Sequence, residues 1–330
     1  MKRISNLYAS IISMDNLRLA DKKARRGKSF YSSVQEHDKH AEEDLLQLHE
    51  SLKNHIYRTS EYKTFTIYEP KERFISVLPY YPDRIVHHAI MNIMEPIWVK
   101  TFTYNTYSCI KGRGIDGCAK QVSKIIDKYK DKPLYCLKFD IKKYYPSIDH
   151  GVLKAIIRKK IKDKELLDLL DEIIDSAPGV PIGNYLSQFF ANLNLCYLMH
   201  DINEKLKIDC TEYADDIVLY ADNKEVLWKA FFDYIKPYIE DKLHLRVKDN
   251  WQVFPVPINR YNRHGRALDY VGYKFYKDQK LLRKRIKYNL CAAAKHTTNL
   301  NEKAKKQKLA GWLGWCKHSD SKYLMSKLKI

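Results

Sequence analysis

The most constraining feature of this chain is a pair of adjacent acids inside an apolar, β-branched segment. Asp215 and Asp216 stand within Thr211-Glu212-Tyr213-Ala214-Asp215-Asp216-Ile217-Val218-Leu219-Tyr220. Neighbours on a strand point to opposite faces, so one acid would have to enter a core if the whole segment were one strand. At the tip of a hairpin, both carboxylates can reach one cleft. Crowded carboxylates are costly without cations, and paired Mg²⁺ ions holding a phosphate would compensate them.

A third acid gives this pair a partner. Asp140 lies near the end of the apolar segment 134–141, which predicts a strand with a carboxylate at its mouth. Phosphoryl transfer needs cations at the attacking and leaving oxygens, and carboxylates from different strands can bridge two metal ions. We therefore predict Asp140, Asp215 and Asp216 as catalytic residues and as ligands of two Mg²⁺ ions, with the carbonyl of Ile141 as a further ligand. For the acidic pair alone, the alternative is a turn or a helix cap.

The charge of the chain favours a polyanionic partner. Of 330 residues, 45% are hydrophobic, which is sufficient for a packed core, while 30% are charged and the formal net charge is +19. Residues 281–330 carry thirteen Lys and Arg against Glu302 and Asp320. We predict a basic, helical C-terminal subdomain and nucleic acid as the partner. The alternative is a basic soluble protein without such a partner.

Scattered cysteines and the absence of long apolar runs argue against other protein classes. The seven cysteines form no Cys-x-x-Cys pair, which disfavours both a disulfide framework and a zinc knuckle. No apolar run approaches the roughly 18 residues that a membrane helix needs. The chain start also lacks the apolar stretch of a secretory signal. We expect reduced thiols in a cytoplasmic protein with no membrane partner.

The residues after the first acid are suited to a nucleotide. Lys142, Lys143, Tyr144 and Tyr145 follow Asp140 directly, and their lysines and backbone donors predict binding of a dNTP triphosphate. Tyr145 could pack under the sugar and exclude a 2′-hydroxyl. The alternative for Tyr145 is a core tyrosine at a helix start.

Two further elements carry predicted dNTP-binding groups. Lys71 and Arg73 alternate on a predicted strand, so they share a face and could clamp phosphates; the alternative is an exposed basic strand. Gln188 lies near the start of a helix predicted over 187–206 and could hydrogen-bond a base or sugar. The alternative there is a simple cap with Ser187 as the capping residue.

A predicted hairpin at 268–275 is suited to holding a primer end. Its Gly272, preceded by Val271, permits close approach of the backbone. Basic residues that follow it suit duplex binding through phosphate contacts. The remaining predicted primer and template residues are Tyr213, Arg283, Lys284 and Arg285. For Trp312 and Trp315, packing between the last helices is favoured over base stacking.

Together these motifs resemble a reverse transcriptase of the group II intron-like superfamily. Asp140 matches the first catalytic acid, and Asp215-Asp216 match the Tyr-x-Asp-Asp box. Val271-Gly272 matches the primer grip, and Lys71 with Arg73 matches the finger residues that bind triphosphate. The resemblance implies an α+β right-hand polymerase fold. Fingers and a palm with an antiparallel sheet would occupy 1–275, and a basic helical thumb 276–330. It also implies an RNA-directed DNA polymerase that uses two Mg²⁺ ions.

One segment narrows the resemblance. Pro181-Ile182-Gly183-Asn184-Tyr185-Leu186-Ser187-Gln188 is similar to the Gly-x-x-x-Ser-Gln signature of diversity-generating retroelement reverse transcriptases. Most other reverse transcriptases carry Gln before that glycine, where this chain has Ile182. We predict that Ile182 and Gly183 set the fidelity of copying, because an aliphatic side chain contacts the templating base by shape alone and forms no hydrogen bond with it. The alternative is a loop residue chosen for packing.

The resemblance to this family implies a substrate and partners. Its members are bacterial or phage-encoded and copy a template-repeat RNA into cDNA that is mutated mainly at adenines, which then replaces a variable repeat (mutagenic retrohoming). They use dNTPs, hold the cDNA/RNA hybrid and work with a pentameric basic accessory protein. The acid-rich stretch 163–175 is a candidate docking surface for that protein. Competing interpretations are a retron or group II intron-like reverse transcriptase, and a non-catalytic RNA-binding scaffold.

Overall fold

The computed structural model of the protein describes residues 3–68, 72–262, 264–297 and 299–330. It confirms the predicted mixture of helices with antiparallel strands. The helices are α1 (Tyr8–Ile12), α2 (Met14–Ala24), α3 (Ser32–Asp38), α4 (Ala41–Lys53), α5 (Ile85–Val99), α6 (Gly114–Lys128), α7 (Tyr144–Ser147), α8 (His150–Arg158), α9 (Lys164–Asp175), α10 (Tyr185–Asp201), α11 (Lys224–Ala230), α12 (Lys284–Lys295), α13 (Glu302–Lys317) and α14 (Lys322–Leu328). The strands are β1 (Lys63–Ile67), β2 (Arg73–Val77), β3 (Tyr135–Asp140), β4 (Asp209–Tyr213), β5 (Asp216–Ala221), β6 (Gln252–Pro255), β7 (Leu268–Tyr270), β8 (Tyr273–Phe275) and β9 (Lys280–Leu282).

The chain forms two compact units, each built from three segments. The first unit comprises Met1–Cys109, Ile141–His200 and Lys236–Val247, and the second comprises Ile110–Asp140, Asp201–Ile235 and Lys248–Ile330. The predicted division into fingers with palm over 1–275 and thumb over 276–330 remains a prediction. The two units are defined by their spatial compactness, and their boundaries do not test where fingers, palm and thumb begin.

The first unit is mainly helical. α2 packs along α5, and the side-chain amide of Asn16 donates to the carbonyl of Ala89 at 3.0 Å, which joins the two helices in a buried position. β1 and β2 form an antiparallel ladder from Lys63 opposite Val77 to Ile67 opposite Arg73, as the alternating apolar pattern predicts.

Two predicted helix starts in the first unit turn out differently. The sequence predicts a helix over 83–99 with Asp83 as its N-cap. Instead, α5 begins at Ile85 after a π-helical turn, and the buried Asp83 carboxylate accepts from the Tyr57 hydroxyl at 2.6 Å. α10 begins at Tyr185, so Ser187 lies inside the helix and its hydroxyl donates back to the carbonyl of Pro181 at 2.6 Å. The Tyr57 hydroxyl occupies Oδ1 of Asp83 away from the helix start, while Oδ2 is buried without a hydrogen-bond partner among the described residues.

The centre of the second unit is a four-stranded antiparallel sheet with the order β4-β5-β3-β6. β3 is a central strand, and its Leu137 and Phe139 are almost fully buried, as are Ile217 and Leu219 of β5. In β5 the run 217–221 is buried at every position, which is typical of a strand covered on both faces. α11 packs against the sheet, and the Phe139 ring lies 5.7 Å from that of Phe231.

A second sheet, β7-β8-β9, and the C-terminal helices complete this unit. The ring of Trp315 lies 5.2 Å from that of Tyr273, which confirms that Trp315 has a packing role. All seven cysteines are free thiols. Across the described residues, no helix combines the length and apolar character needed to cross a bilayer.

Candidate active site

The three predicted catalytic acids lie together in the second unit. Asp140 ends β3 and stands directly opposite Asp216, the first residue of β5. Because Tyr213 also pairs with Asp216, β4 and β5 are joined by a two-residue turn that contains Asp215. Ala214 supplies the left-handed conformation of that turn, with φ +57°. The hairpin-tip arrangement expected from the sequence is therefore present, and neither acid has to enter the core.

The carboxylates crowd each other. Burial raises the pKa of Asp215, and hydrogen bonding and charge from Asp140 raise it further. Burial also raises the pKa of Asp216, against the opposing charge of Lys138. Oδ1 of Asp140 is buried without a hydrogen-bond partner among the described residues. The cluster thus retains negative charge that the surrounding protein does not fully compensate.

Two lysines partly neutralise this charge, and neither was predicted from the sequence. Nζ of Lys248 forms an ion pair with Oδ2 of Asp140, and Nζ of Lys138 lies 3.1 Å from Oδ1 of Asp216. Lys138 precedes Asp140 by two residues on β3 and so points to the same face, a signal that the sequence does contain. Lys248 is 108 residues away from its partner, and no local pattern marks it.

The donor chemistry of the cluster fits a hard divalent cation. Carboxylate oxygens are preferred Mg²⁺ ligands, and the unpartnered Asp140 Oδ1 provides one such oxygen without a competing donor. Among the described residues, however, no group of three or more His, Cys, Asp or Glu side chains is arranged to hold a metal ion. The role of Asp140, Asp215 and Asp216 as ligands of two Mg²⁺ ions therefore remains a prediction. Ile141 is buried and forms an isolated bridge with Val247; its role as a carbonyl ligand remains a prediction.

The predicted primer-holding hairpin is joined to the acids within the second unit. The Tyr270 hydroxyl donates to the carbonyl of Asp216 at 3.0 Å. Tyr270 pairs with Tyr273, so Val271 and Gly272 form the turn, with φ values of +39° and +87°. A Cβ on Gly272 would lie 2.4 Å from the Trp315 ring, so only glycine fits this turn.

The predicted primer and template residues near this hairpin differ in exposure. Nε of Arg283 donates to Asp269 Oδ1 at 2.6 Å, so this arginine is engaged within the protein. Lys284 and Arg285 are exposed at the start of α12, where phosphates could reach them. Tyr213 is half-buried at the end of β4.

The predicted nucleotide-binding residues of the first unit differ in how far their side chains are buried. Tyr144 is buried and its hydroxyl donates to the carbonyl of Ala191 at 2.6 Å, so its side chain packs in the core. A contact of its backbone with dNTP remains a prediction. Tyr145 is half-buried, and its hydroxyl donates to Gln188 Oε1 at 2.8 Å. The sequence did not foresee this direct contact between two of its candidates. Lys142 and Lys143 are exposed.

The loop before α10 packs against the β1–β2 hairpin. The backbone N–H of Ser76 donates to the carbonyl of Ile182 at 2.8 Å, so the loop extends the hydrogen bonding of β2. Gly183 has φ +133°, and a Cβ there would lie 2.4 Å from the carbonyl oxygen of Ser76. Arg73, at the start of β2, is exposed. Lys71 lies outside the described residues.

The acid-rich stretch proposed for docking is largely engaged inside the first unit. Arg158 forms an ion pair with Asp171 at 2.6 Å, and Lys154 does so with Asp175 at 2.5 Å. Asp163 is buried, caps α9 and accepts from the N–H of Leu7. These internal partners reduce the negative charge that the stretch offers to another protein.

Comparison with known proteins gives this site a family context. The family profile described as "Reverse transcriptase (RNA-dependent DNA polymerase)" matches residues 39–249, which is more than half of the chain. Protein YkfC of Escherichia coli (strain K12) is 25% identical over 190 residues, covering 54% of this chain and 45% of that protein. Group II intron-encoded protein LtrA of Lactococcus lactis subsp. cremoris is 23% identical over 190 residues, covering 52% of this chain and 30% of that protein. The chain thus spans less than half the length of these curated relatives.

Solved structures confirm the fold. Apo telomerase from Candida tropicalis, truncated from its C-terminal domain, matches with a TM-score of 0.50 at 12% identity, over 74% of this chain and 60% of that one. Telomerase from Candida tropicalis in complex with a TWJ fragment of telomeric RNA also matches with a TM-score of 0.50 at 13% identity. That match covers 82% of this chain and 55% of the telomerase chain. At such identities the likeness concerns the fold alone, and it agrees with the predicted α+β right-hand polymerase.

Proposed function

The chain belongs to the reverse transcriptase (RNA-dependent DNA polymerase) family, and from this premise we propose that it extends a DNA primer along an RNA template. The observation that carries the proposal is the register of β3 and β5, which sets Asp140 opposite Asp216 with Asp215 at the adjoining turn. Side chains directly opposite each other on antiparallel strands share a face, so the acids can act on one substrate.

In the proposed reaction the primer 3′-hydroxyl attacks the α-phosphorus of a dNTP and pyrophosphate leaves. Two Mg²⁺ ions, when bound, would supply positive charge at the attacking and leaving oxygens. Asp140, Asp215 and Asp216 would hold them, and Lys138 and Lys248 would then have to share these carboxylates. The Val271–Gly272 turn would hold the primer end; the hydrogen bond that joins this hairpin to Asp216 through Tyr270 supports this role.

A primer-extension assay tests this proposal. Wild-type protein should incorporate dNTPs with Mg²⁺ on an RNA template annealed to a DNA primer. Asp216→Asn should reduce the rate by at least about a thousandfold, because it removes a charge that acts on the reacting centre. Asp222→Asn is a matched control, since Asp222 is exposed just beyond the other end of β5. Absence of incorporation by the wild type on every primed RNA would favour the scaffold interpretation.

At a finer level, we propose that the enzyme serves a diversity-generating retroelement and copies a template-repeat RNA into adenine-mutagenized cDNA. The support is the segment from Ile182 to Gln188, with Gly183 closely packed and Ile182 in place of a polar residue. Sequencing cDNA made by wild type and Ile182→Gln tests the idea. The variant should make fewer substitutions at template adenines, whereas an unchanged adenine error rate would remove Ile182 as a fidelity residue.

The match to LtrA favours one alternative, a group II intron-like reverse transcriptase, and a retron enzyme is a further candidate. RNA that co-purifies with the chain distinguishes them, because a template repeat, an intron and a retron RNA differ in sequence. The same purification tests for the proposed pentameric basic accessory protein. If that protein uses the 163–175 stretch, reversing the charge of the exposed Glu165 should weaken the complex.

A further inference from the structure

One lysine in the second unit contacts three groups that belong to two different sheets. Nζ of Lys138, on β3, lies 3.1 Å from Asp216 Oδ1 and donates to the carbonyl of Asp269 at 2.9 Å. It also lies 5.4 Å from the centre of the Tyr270 ring. A lysine ammonium has three donors and no acceptor, and this one is directed at groups with negative charge or a negative ring face.

The same junction has a second connection. The hydroxyl of the buried Tyr270 donates to the backbone carbonyl of Asp216 at 3.0 Å. Lys138 therefore binds the side chain of Asp216, while Tyr270 binds its backbone. Both connect β5 to the start of the β7–β8 hairpin, so the hairpin cannot shift relative to Asp216 without breaking partly buried polar contacts.

The opposite side of the hairpin is attached to the C-terminal helices. Gly272 lies against the side chains of Trp315 and Ile286, and its carbonyl accepts from the N–H of Arg283 at 3.0 Å. Arg283 also binds Asp269 through its side chain at 2.6 Å. The hairpin thus lies between an acid of the candidate active site and the basic helices suited to a duplex.

We propose that Lys138 is a positioning residue that fixes the Val271–Gly272 turn relative to Asp216 and so sets where a primer terminus meets the acids. The inference rests on the proposed polymerase function. Its physical basis is that one ammonium satisfies two acceptors from different sheets, and no uncharged side chain of similar length can do so. Misplacement of a reacting group by about 1 Å can cost roughly a hundredfold in rate.

The test compares Lys138→Met, which keeps length and loses charge, with Lys138→Arg, which keeps charge. The primer carries 2-aminopurine at its 3′ end, and its fluorescence on an RNA template is read in EDTA, without metal. Lys138→Met should change this signal while the anisotropy of a labelled hybrid shows unchanged affinity. Its single-turnover extension rate with Mg²⁺ should fall by about tenfold to a hundredfold. Lys138→Arg should restore most of the wild-type fluorescence signal and most of the wild-type extension rate.

Lys229→Met is the matched control, because Lys229 is exposed on α11 of the same unit, outside the predicted primer-holding hairpin, and the substitution loses the same charge. It should leave the fluorescence and the rate as in wild type. Tyr270→Phe removes the second connection, and it replaces Lys138→Met if that variant does not fold. Because the two residues hold the same element, the effects of the double variant should be less than the sum of the single effects.

The outcomes separate the two proposals. If folded Lys138→Met shows the wild-type 2-aminopurine signal, the positioning role of Lys138 is wrong, whatever the rate; if Lys138→Met does not fold, a wild-type signal in Tyr270→Phe overturns the proposal. If the wild type does not extend any primer, the proposed function is wrong, and the metal-free fluorescence still reports on the junction.

Discussion

Replacing Gly183 by alanine should destabilise the first unit and displace the loop that carries Ile182. Two features of this position oppose a side chain. Its φ of +133° lies in a region that residues with a Cβ rarely adopt, and the new methyl would lie 2.4 Å from the carbonyl oxygen of Ser76. That oxygen belongs to the backbone of a paired strand, so the methyl cannot be accommodated by a side-chain rotation.

The expected cost follows from these features. A sparsely populated backbone conformation costs about 1–3 kcal/mol, and losing the hydrogen bond from Ser76 to Ile182 adds about 0.5–1.5 kcal/mol. The lower entropy of the unfolded alanine chain offsets about 0.4–1 kcal/mol of this cost. We expect the free energy of unfolding to fall by about 1–4 kcal/mol.

Urea unfolding followed by circular dichroism measures this change. Gly311→Ala is the matched control: Gly311 lies within α13, no atom would contact its new Cβ within 4 Å, and its φ is not positive. Alanine should stabilise that helix by about 1 kcal/mol. A Gly183→Ala protein that unfolds at the wild-type urea midpoint and makes wild-type cDNA would refute the reasoning on this loop.

Three further predictions concern other contacts. Gly272→Ala should lower the free energy of unfolding by about 1–3 kcal/mol and shift tryptophan fluorescence, because its methyl would strike the Trp315 ring. Tyr145→Ala should raise the ratio of ribonucleotide to deoxynucleotide incorporation if this ring lies under the sugar. Tyr145→Phe keeps the ring and removes the hydroxyl that donates to Gln188, so it should keep the wild-type ratio. Burial alone would lower the pKa of His37, but Asp21 and Asp44 raise it above 6.5. Its stabilising contribution is therefore complete below pH 6.5 and is lost as pH rises through the folded pKa, so the stability difference between wild type and His37→Gln should shrink with increasing pH.

Much of the local structure was predictable because it depends on nearby residues. The apolar residues of 62–81 predicted two strands, which correspond to β1 and β2. The sequence left Ser147 or Asp149 as the cap of the helix that ends near 161, and Asp149 accepts from the N–H of Val152 at 2.9 Å. The acidic pair required a hairpin tip, and the structure has one. The prediction that Asp83 caps a helix was wrong because its partner, Tyr57, lies 26 residues away along the chain. No local sequence pattern indicates that Tyr57 supplies a buried donor to this carboxylate.

The sequence alone determined which chemistry the chain can support. The three acids, the glycine in each of two loops and the basic C-terminal segment are properties of residue type and spacing, and they were sufficient to indicate a polymerase. Tertiary structure decided which groups share a contact. Lys138 and Lys248 pair with the acids, Tyr145 meets Gln188, and Tyr144 is withdrawn into the core. The physical reason is that ion pairs and buried hydrogen bonds depend on strand order and packing, which bring together residues that are far apart along the chain.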